Sequence, residues 1–479
     1  MARTVLLASL LFCGLVSVAS AADTAATSPR PPAQSALAPG AVLIGAAKVD
    51  ITPQRAVRMY GYGERKTESE GIAGRLKASA LAIGADEGEG PAVLLCVDCG
   101  AVPEDIRDEV FRRVGQKVRL KPERFMLCNA HNHSGPDLKG MESITGAEHE
   151  HLAQYAQQMT ASLEQVVMAS LASRRPGQLE RTQGSVGFAA NRRLLKNGKW
   201  AGFGAVPDGA VDRSLPLLRA TDAQGTLVAV VVNYACHNTT LRGNFKQIHG
   251  DWAGCTQEFI EADHPGAVAL VTIGCGADAD PCPHGTVALC RQHGRQMADE
   301  VNRLLAGPLK PVAPKLAARM AMLEVPYAPT PPIRTLRAMA VTSYPAQRIL
   351  KLLDRGQQPP TAEPYRIATW AFGDDLAMVF LADEVTVDCA LRIKRQMDGS
   401  RLWINAYSND VSFYVASDRV IREGGYEAGN SFSTMVSYGR PETVQPTIED
   451  RIVQRVRELL PESYTKPASR PPENTQSPK

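Results

Sequence analysis

Short runs of consecutive apolar, often β-branched residues recur along the chain, and segments with apolar residues at helical spacing alternate with them. AVLLCVDC (92–99), RFMLCNA (124–130), TLVAVVVNYAC (226–236), AVALVTIG (267–274), LAMVFLA (376–382) and LWINAY (402–407) read as buried strands. PEDIRDEVFRRVGQKV (103–118), EHLAQYAQQMTASLEQVVMASL (150–171), ALCRQHGRQMADEVNRLLAG (288–307) and TIEDRIVQRVRELL (447–460) read as amphipathic helices. This alternation predicts an α/β fold. A mixed or largely parallel central sheet is covered by helices in a single large domain, residues 41–462. In such sheets ligands bind beyond the carboxyl ends of the strands.

The first residues follow a different pattern. Arg3 precedes the apolar run VLLASLLFCGLVSVAS, and Ala19-Ser20-Ala21 offers a small-residue cleavage site. Residues 1–21 therefore read as a secretory signal peptide, which predicts a secreted or periplasmic protein. No later apolar run reaches the roughly 18 residues needed to span a bilayer. Residues 22–40, rich in Ala, Ser, Thr and Pro, read as a flexible leader, and residues 463–479 as a disordered tail.

Composition narrows the function classes. Of 479 residues, 44% are hydrophobic and 22% charged, with a net charge of +3, which gives ample core and no electrostatic footprint for nucleic acid. Of ten cysteines, Cys13 lies in the signal peptide. The remaining odd number leaves at least one thiol unpaired within the chain. Cys96, Cys99, Cys128, Cys236 and Cys275 fall in or just after apolar runs and read as small buried hydrophobes. Cys275, Cys282 and Cys290 are the candidates for any disulfide that export permits. No repeated CxxC pair supports a sulfur-bound zinc.

Polar residues at the ends of the apolar runs carry the chemistry. His131 and His133 follow RFMLCNA, and in an extended chain residues two apart face one side. His237 follows TLVAVVVNYAC, Asp278 and Asp280 follow AVALVTIG, Asp383 and Glu384 follow LAMVFLA, and Asn409, Asp410 and Tyr414 follow LWINAY. Any one of these is ordinarily a capped or solvated residue. Their convergence at successive strand ends is what a catalytic zinc site with N and O ligands requires.

Several motifs then point the same way. GAAKVDITP (45–53), HNHSGPDL (131–138), AANRRLL (189–195), NYACH (233–237), GDW (250–252), GADADP (276–281) and NDVSFYVASDRVIREGGYE (409–427) together resemble the neutral/alkaline, non-lysosomal ceramidases. The resemblance spans most of residues 42–460, the family's catalytic domain; the C-terminal immunoglobulin-like domain of the full-length enzymes is expected to be absent. It implies a zinc amidohydrolase that cleaves an amide bond of an N-acylsphingosine or related N-acyl lipid. His131, His237, Glu384 and Tyr414 would be the zinc ligands. His133, Arg192 and Tyr426 would line the substrate amide, with His133 either donating to an oxyanion or carrying a proton to the leaving nitrogen. Partners would be a small-molecule or lipid amide and, transiently, a membrane surface. The sequence departs from the family at one turn, where Asp280 stands in place of the serine of Gly-Asp-x-Ser-Pro. A serine acyl-enzyme is thereby excluded at that position. Asp280 is left as a general base or as the partner of a cationic amine, and Asp278 as a turn-stabilising residue or a support for His237. Two other readings stay open: an impaired homologue that binds lipid or glycan, and a zinc hydrolase of a different amide or ester.

Overall fold

The buried apolar runs become strands of two sheets. The computed structural model describes residues 37–326, 331–341, 344–358, 362–430 and 447–466. The expected signal peptide, most of the leader and most of the tail lie outside the described residues. Tyr464, which the sequence reading places in the tail, is buried, and its hydroxyl donates to the Gly373 carbonyl at 2.8 Å.

The strands in chain order are β1 (Val42–Asp50), β2 (Lys77–Ile83), β3 (Ala92–Val97), β4 (Phe125–Asn129), β5 (Arg175–Ser185), β6 (Ala189–Lys196), β7 (Lys199–Val206), β8 (Ser214–Asp222) and β9 (Leu227–Tyr234). They continue with β10 (Val268–Ile273), β11 (Ala279–Pro281), β12 (Lys310–Val312), β13 (Leu316–Pro326), β14 (Ala362–Phe372), β15 (Leu376–Leu381), β16 (Glu384–Val385), β17 (Leu402–Asn405) and β18 (Tyr414–Val415). The main sheet runs β10-β9-β8-β5-β1-β2-β3-β4, with β12 also on β5. A second sheet runs β13-β14-β15-β17, and β11-β6-β7 forms a third. Helices α1 (Glu104–Gly115), α2 (Ala147–Ala172) and α4 (Val287–Leu305) realise three of the four expected amphipathic segments, a helix over Ile448–Leu459 realises the fourth, and α3 (Asp251–Asp263) adds one between β9 and β10.

The fold is α/β with a mixed sheet, as the alternation of runs predicts. Within it antiparallel pairs outnumber parallel ones, so the largely parallel form of the expectation does not hold. The reason is connection length. β1 and β2, β2 and β3, and β8 and β9 are neighbours joined without a crossover helix, and such neighbours pair antiparallel.

The few parallel pairs have a shared place. Between named strands they are β3–β4, β9–β10, β15–β17 and β16–β18 among the described residues. The first two occupy opposite edges of the main sheet, yet the chain just beyond them is joined by a parallel bridge between Asn132 and Asn238. The segment after β17 fills the gap: Ala406 N–H donates to Ile273 O at 2.9 Å, and Asn129 N–H to Tyr407 O at 3.1 Å. Three carboxyl ends of parallel strands thus converge from two sheets.

The cysteines follow the packing argument. All nine described cysteines are free, and only Cys282 is exposed. The disulfide expectation for Cys275, Cys282 and Cys290 is corrected accordingly: Cys275 and Cys290 are buried free thiols in separate apolar clusters.

Candidate functional site

His131 follows the carboxyl end of β4, His237 that of β9, and Glu384 that of β15. His131 has φ +49 and Asp383, directly before Glu384, has φ +65. Side chains other than glycine rarely adopt this region, at a cost of about 1–3 kcal/mol each, and such residues collect at functional sites. The turn at His131 means that the chain there is not extended. His133 nevertheless returns to the same point, with its Nε2 3.2 Å from His131 Nε2.

The three donors meet closely. Glu384 Oε2 lies 3.2 Å from His131 Nε2 and 3.2 Å from His237 Nε2. Both histidines are buried, and Glu384 is nearly so. Their outer nitrogens are fixed by backbone carbonyls: His131 Nδ1 on Gly100 O at 3.1 Å, and His237 Nδ1 on Gly276 O at 2.9 Å. An imidazole that donates through Nδ1 presents the Nε2 lone pair to the site, which is how a metal-ligating histidine is set. Burial, then the charge of Arg192, pushes His237 toward the neutral form a ligand needs. Burial would raise Glu384, but His131 and His237 outweigh it and hold the carboxyl well below its usual range.

Among the buried side-chain atoms without a hydrogen-bond partner, two face one another: His237 Nε2 and Glu384 Oε2. Their 3.2 Å separation is therefore a shared approach rather than a good hydrogen bond. Two unsatisfied buried acceptors side by side are costly unless a cation lies between them. The separations also match the roughly 3.3 Å edge of a tetrahedron with 2.0 Å bonds to a central zinc. His131, His133 and His237 have ligand atoms within 4.8 Å of one another. The donor set fits a zinc-sized ion.

Tyr414 stands beside Glu384, its Cα partner across β16 and β18. Its hydroxyl accepts from Arg192 Nη2 at 3.2 Å, and burial, then Glu384, pushes the phenol well above its usual range. Arg192 is buried. Its Nε donates to Glu427 Oε1 at 2.9 Å and its Nη1 to Asp280 Oδ1 at 3.1 Å. Asp280 Oδ2 also accepts from Arg242 Nη2 at 2.9 Å, and Oδ1 from Thr239 at 3.3 Å. Burial would raise Asp280, but Arg192 and Arg242 outweigh it and hold it ionised far below the usual carboxylate range. A carboxylate committed to two guanidiniums is a weak base. Asp278 does not touch His237: it accepts from Val387 N–H at 2.9 Å and Asn191 Nδ2 at 3.2 Å, and so ties its turn to α5 (Val387–Gln396).

A cavity of about 550 Å³ opens on His133, Arg192, Arg242, Asp280, Tyr414 and Tyr426. A second, of about 590 Å³, reaches Glu384, Tyr60, Tyr414 and Tyr426 from the other side. The eight residues given zinc or substrate roles in the sequence thus lie in or against one region. Tyr426 is half exposed at the mouth rather than in the core. Sequence reasoning passed over four others. Tyr407 stacks on His131 with ring centres 4.4 Å apart, and Tyr60 meets the edges of both His131 and His133. Arg242 and Glu427 hold Asp280 and Arg192. Glu427 sits next to a residue already chosen, but nothing in its type distinguishes it from a solvated helix carboxylate.

The comparisons agree with this architecture. The crystal structure of neutral ceramidase from Pseudomonas aeruginosa superimposes with a TM-score of 0.68 at 20% identity, covering 87% of this chain and 73% of that one. A ceramidase complexed with C2 gives a TM-score of 0.68 at 20% identity, over 88% of this chain and 76% of the other. At that identity the likeness shows a common fold. The family model for the neutral/alkaline non-lysosomal ceramidase N-terminal region matches residues 42–297, more than half of the chain and the part that supplies His131, His133, Arg192, His237 and Asp280. Taken with the order and spacing of the motifs, this match establishes that the chain belongs to the neutral/alkaline non-lysosomal ceramidase family.

Proposed function

We propose that the protein is a zinc-dependent amidohydrolase acting on an N-acylsphingosine or related N-acyl lipid. The observation that carries this reading is the pair of unsatisfied buried atoms, His237 Nε2 and Glu384 Oε2, facing one point beside His131. In this reading His131, His237 and Glu384 hold the ion, with Tyr414 closing the set. Zinc, when bound, supplies Lewis acidity toward a carbonyl and a more acidic water. The solved ceramidase complexed with C2 supports a lipid amide as the substrate class.

The chain's own residues complete the chemistry. His133 is pushed well below its usual range by burial, then by His131 and His237, so it is neutral at rest and free to carry a proton to the leaving nitrogen. Arg192 is locked by Glu427, Asp280 and Tyr414. A guanidinium held in place before reaction costs no reorganisation when negative charge develops on the carbonyl oxygen. Tyr426 at the mouth closes the wall over the amide. Asp280 aligns Arg192 and Arg242 rather than acting as a base.

His133 separates the roles of the two neighbouring histidines. His133→Ala is expected to keep its zinc, by metal analysis, and to lose about 10²-fold or more in kcat on a short N-acyl amide. Loss of the metal together with activity would make His133 a ligand and overturn the assignment. For Asp280, the Asn variant keeps the shape but gives up the charge that holds both arginines. A fall in kcat of about tenfold with an unchanged pH profile is expected. Disappearance of the acidic limb of the profile would instead identify Asp280 as the base.

A further inference from the structure

Eight large apolar side chains are exposed among the described residues, and four belong to one place. Leu194, Leu195 and Phe203 lie on the β6–β7 hairpin and Tyr426 beside it, each 41–51% exposed. Phe203 meets the Tyr426 ring edge at 5.2 Å and Trp200 at 5.6 Å, and Leu194 lies over Gly204. β7 is the outer strand of its sheet. Asn197 and Gly198, both at positive φ, make the two-residue turn at the tip.

The charges at the tip of the hairpin are of one sign. Lys196 and Lys199 are Cα partners across the tip, where like charges oppose one another. Lys199 Nζ donates to the Arg422 carbonyl at 2.7 Å. Lys196, Lys199 and Arg422 have no ion pair among the described residues. The apolar surface runs into the cavity, because Phe203 and Tyr426 line it.

We infer that the β6–β7 hairpin docks the protein on an anionic lipid surface, with the cavity mouth set against that surface. Exposed Leu and Phe side chains beside unpaired lysines are what an interfacial element presents to lipid headgroups. An anionic surface removes the Lys196–Lys199 repulsion. It also leaves the cavity open to a molecule drawn from the lipid, whereas a protein seated on Phe203 and Tyr426 would stopper the mouth. The inference rests on the hydrolase reading only for the use made of docking.

The test is sedimentation of the full chain with vesicles of phosphatidylcholine, with and without phosphatidylglycerol, read without turnover. The protein is expected to pellet with the anionic vesicles, less so at high salt. The Leu195→Ser, Lys196→Glu double variant is expected to bind at least about tenfold more weakly. Its turnover of a water-soluble short-chain N-acyl amide is expected to stay unchanged. Lys196→Glu alone, which removes no packing, is expected to give a smaller loss in the same direction. Equal binding to both vesicle types, no binding to either, or full binding by both variants would overturn the inference. So would a dimer of the unaltered protein that the double variant abolishes, which would assign the patch to self-association. Vesicle binding that persists in a metal-free, inactive protein sinks the hydrolase reading and leaves the docking intact.

Discussion

His131→Ala is expected to remove bound zinc and to lower kcat/KM by about 10³-fold or more. The size of the effect follows from where His131 stands. It touches Glu384 at 3.2 Å, His133 at 3.2 Å and the face of Tyr407, and its Nδ1 is fixed by Gly100 O. The Ala variant also leaves the carboxylate of Glu384 with one imidazole instead of two. Metal analysis and thermal unfolding with and without added zinc read the loss independently of turnover. A ligand at 1,000 times its Kd stabilises by about 4 kcal/mol, so the zinc-dependent rise in Tm expected for the unaltered protein should vanish in the variant. A variant that keeps stoichiometric zinc and most of its activity would remove His131 from the metal site.

Glu427→Ala is expected to destabilise the fold by about 3–5 kcal/mol. Glu427 is fully buried and bridges two arginines, accepting from Arg192 Nε through Oε1 and from Arg193 Nη1 through Oε2. Arg193 is itself buried and takes further support from Glu423 and the Gly424 carbonyl. Removing the carboxylate leaves two guanidiniums in a low-dielectric interior, with Asp280 and Glu423 as their remaining partners. Activity should fall as well, because Arg192 loses one of the three groups that aim it. Urea denaturation measures the first effect, and kcat on a soluble amide under native conditions the second. A stability change below about 1 kcal/mol, the level of an exposed ion pair, would mean that the bridge is solvated and the burial illusory.

Much of the site was legible in the sequence, for a specific reason. Candidate ligands at strand ends leave a one-dimensional trace: a closed apolar run, then His131, His237 or Glu384. All six apolar runs become strands. What was hidden was pairing. β5 and β7 are half exposed and short of consecutive apolar residues, so no run marks them, yet β5 carries the centre of the main sheet and β7 the wall of the cavity. Nor does a run disclose its partner, so the antiparallel majority and the closure between Asn132 and Asn238 were unreadable. Asp280 shows a different limit. Its position was found, but its chemistry is set by Arg242, which lies 38 residues away in sequence and 2.9 Å away in space. Only the residue type was visible in advance, and a carboxylate without its neighbours reads as a base.

The meeting of three strand ends also bears on how the chain folds. Each donor arrives from a separate part of the sequence, so the ion's cage closes only after the most entropically demanding loops have closed. Partly formed species would hold one or two of the donors and bind the ion weakly. Metal uptake should then lag behind the gain of secondary structure during refolding, and a metal-loaded fraction would count the molecules that have completed their topology.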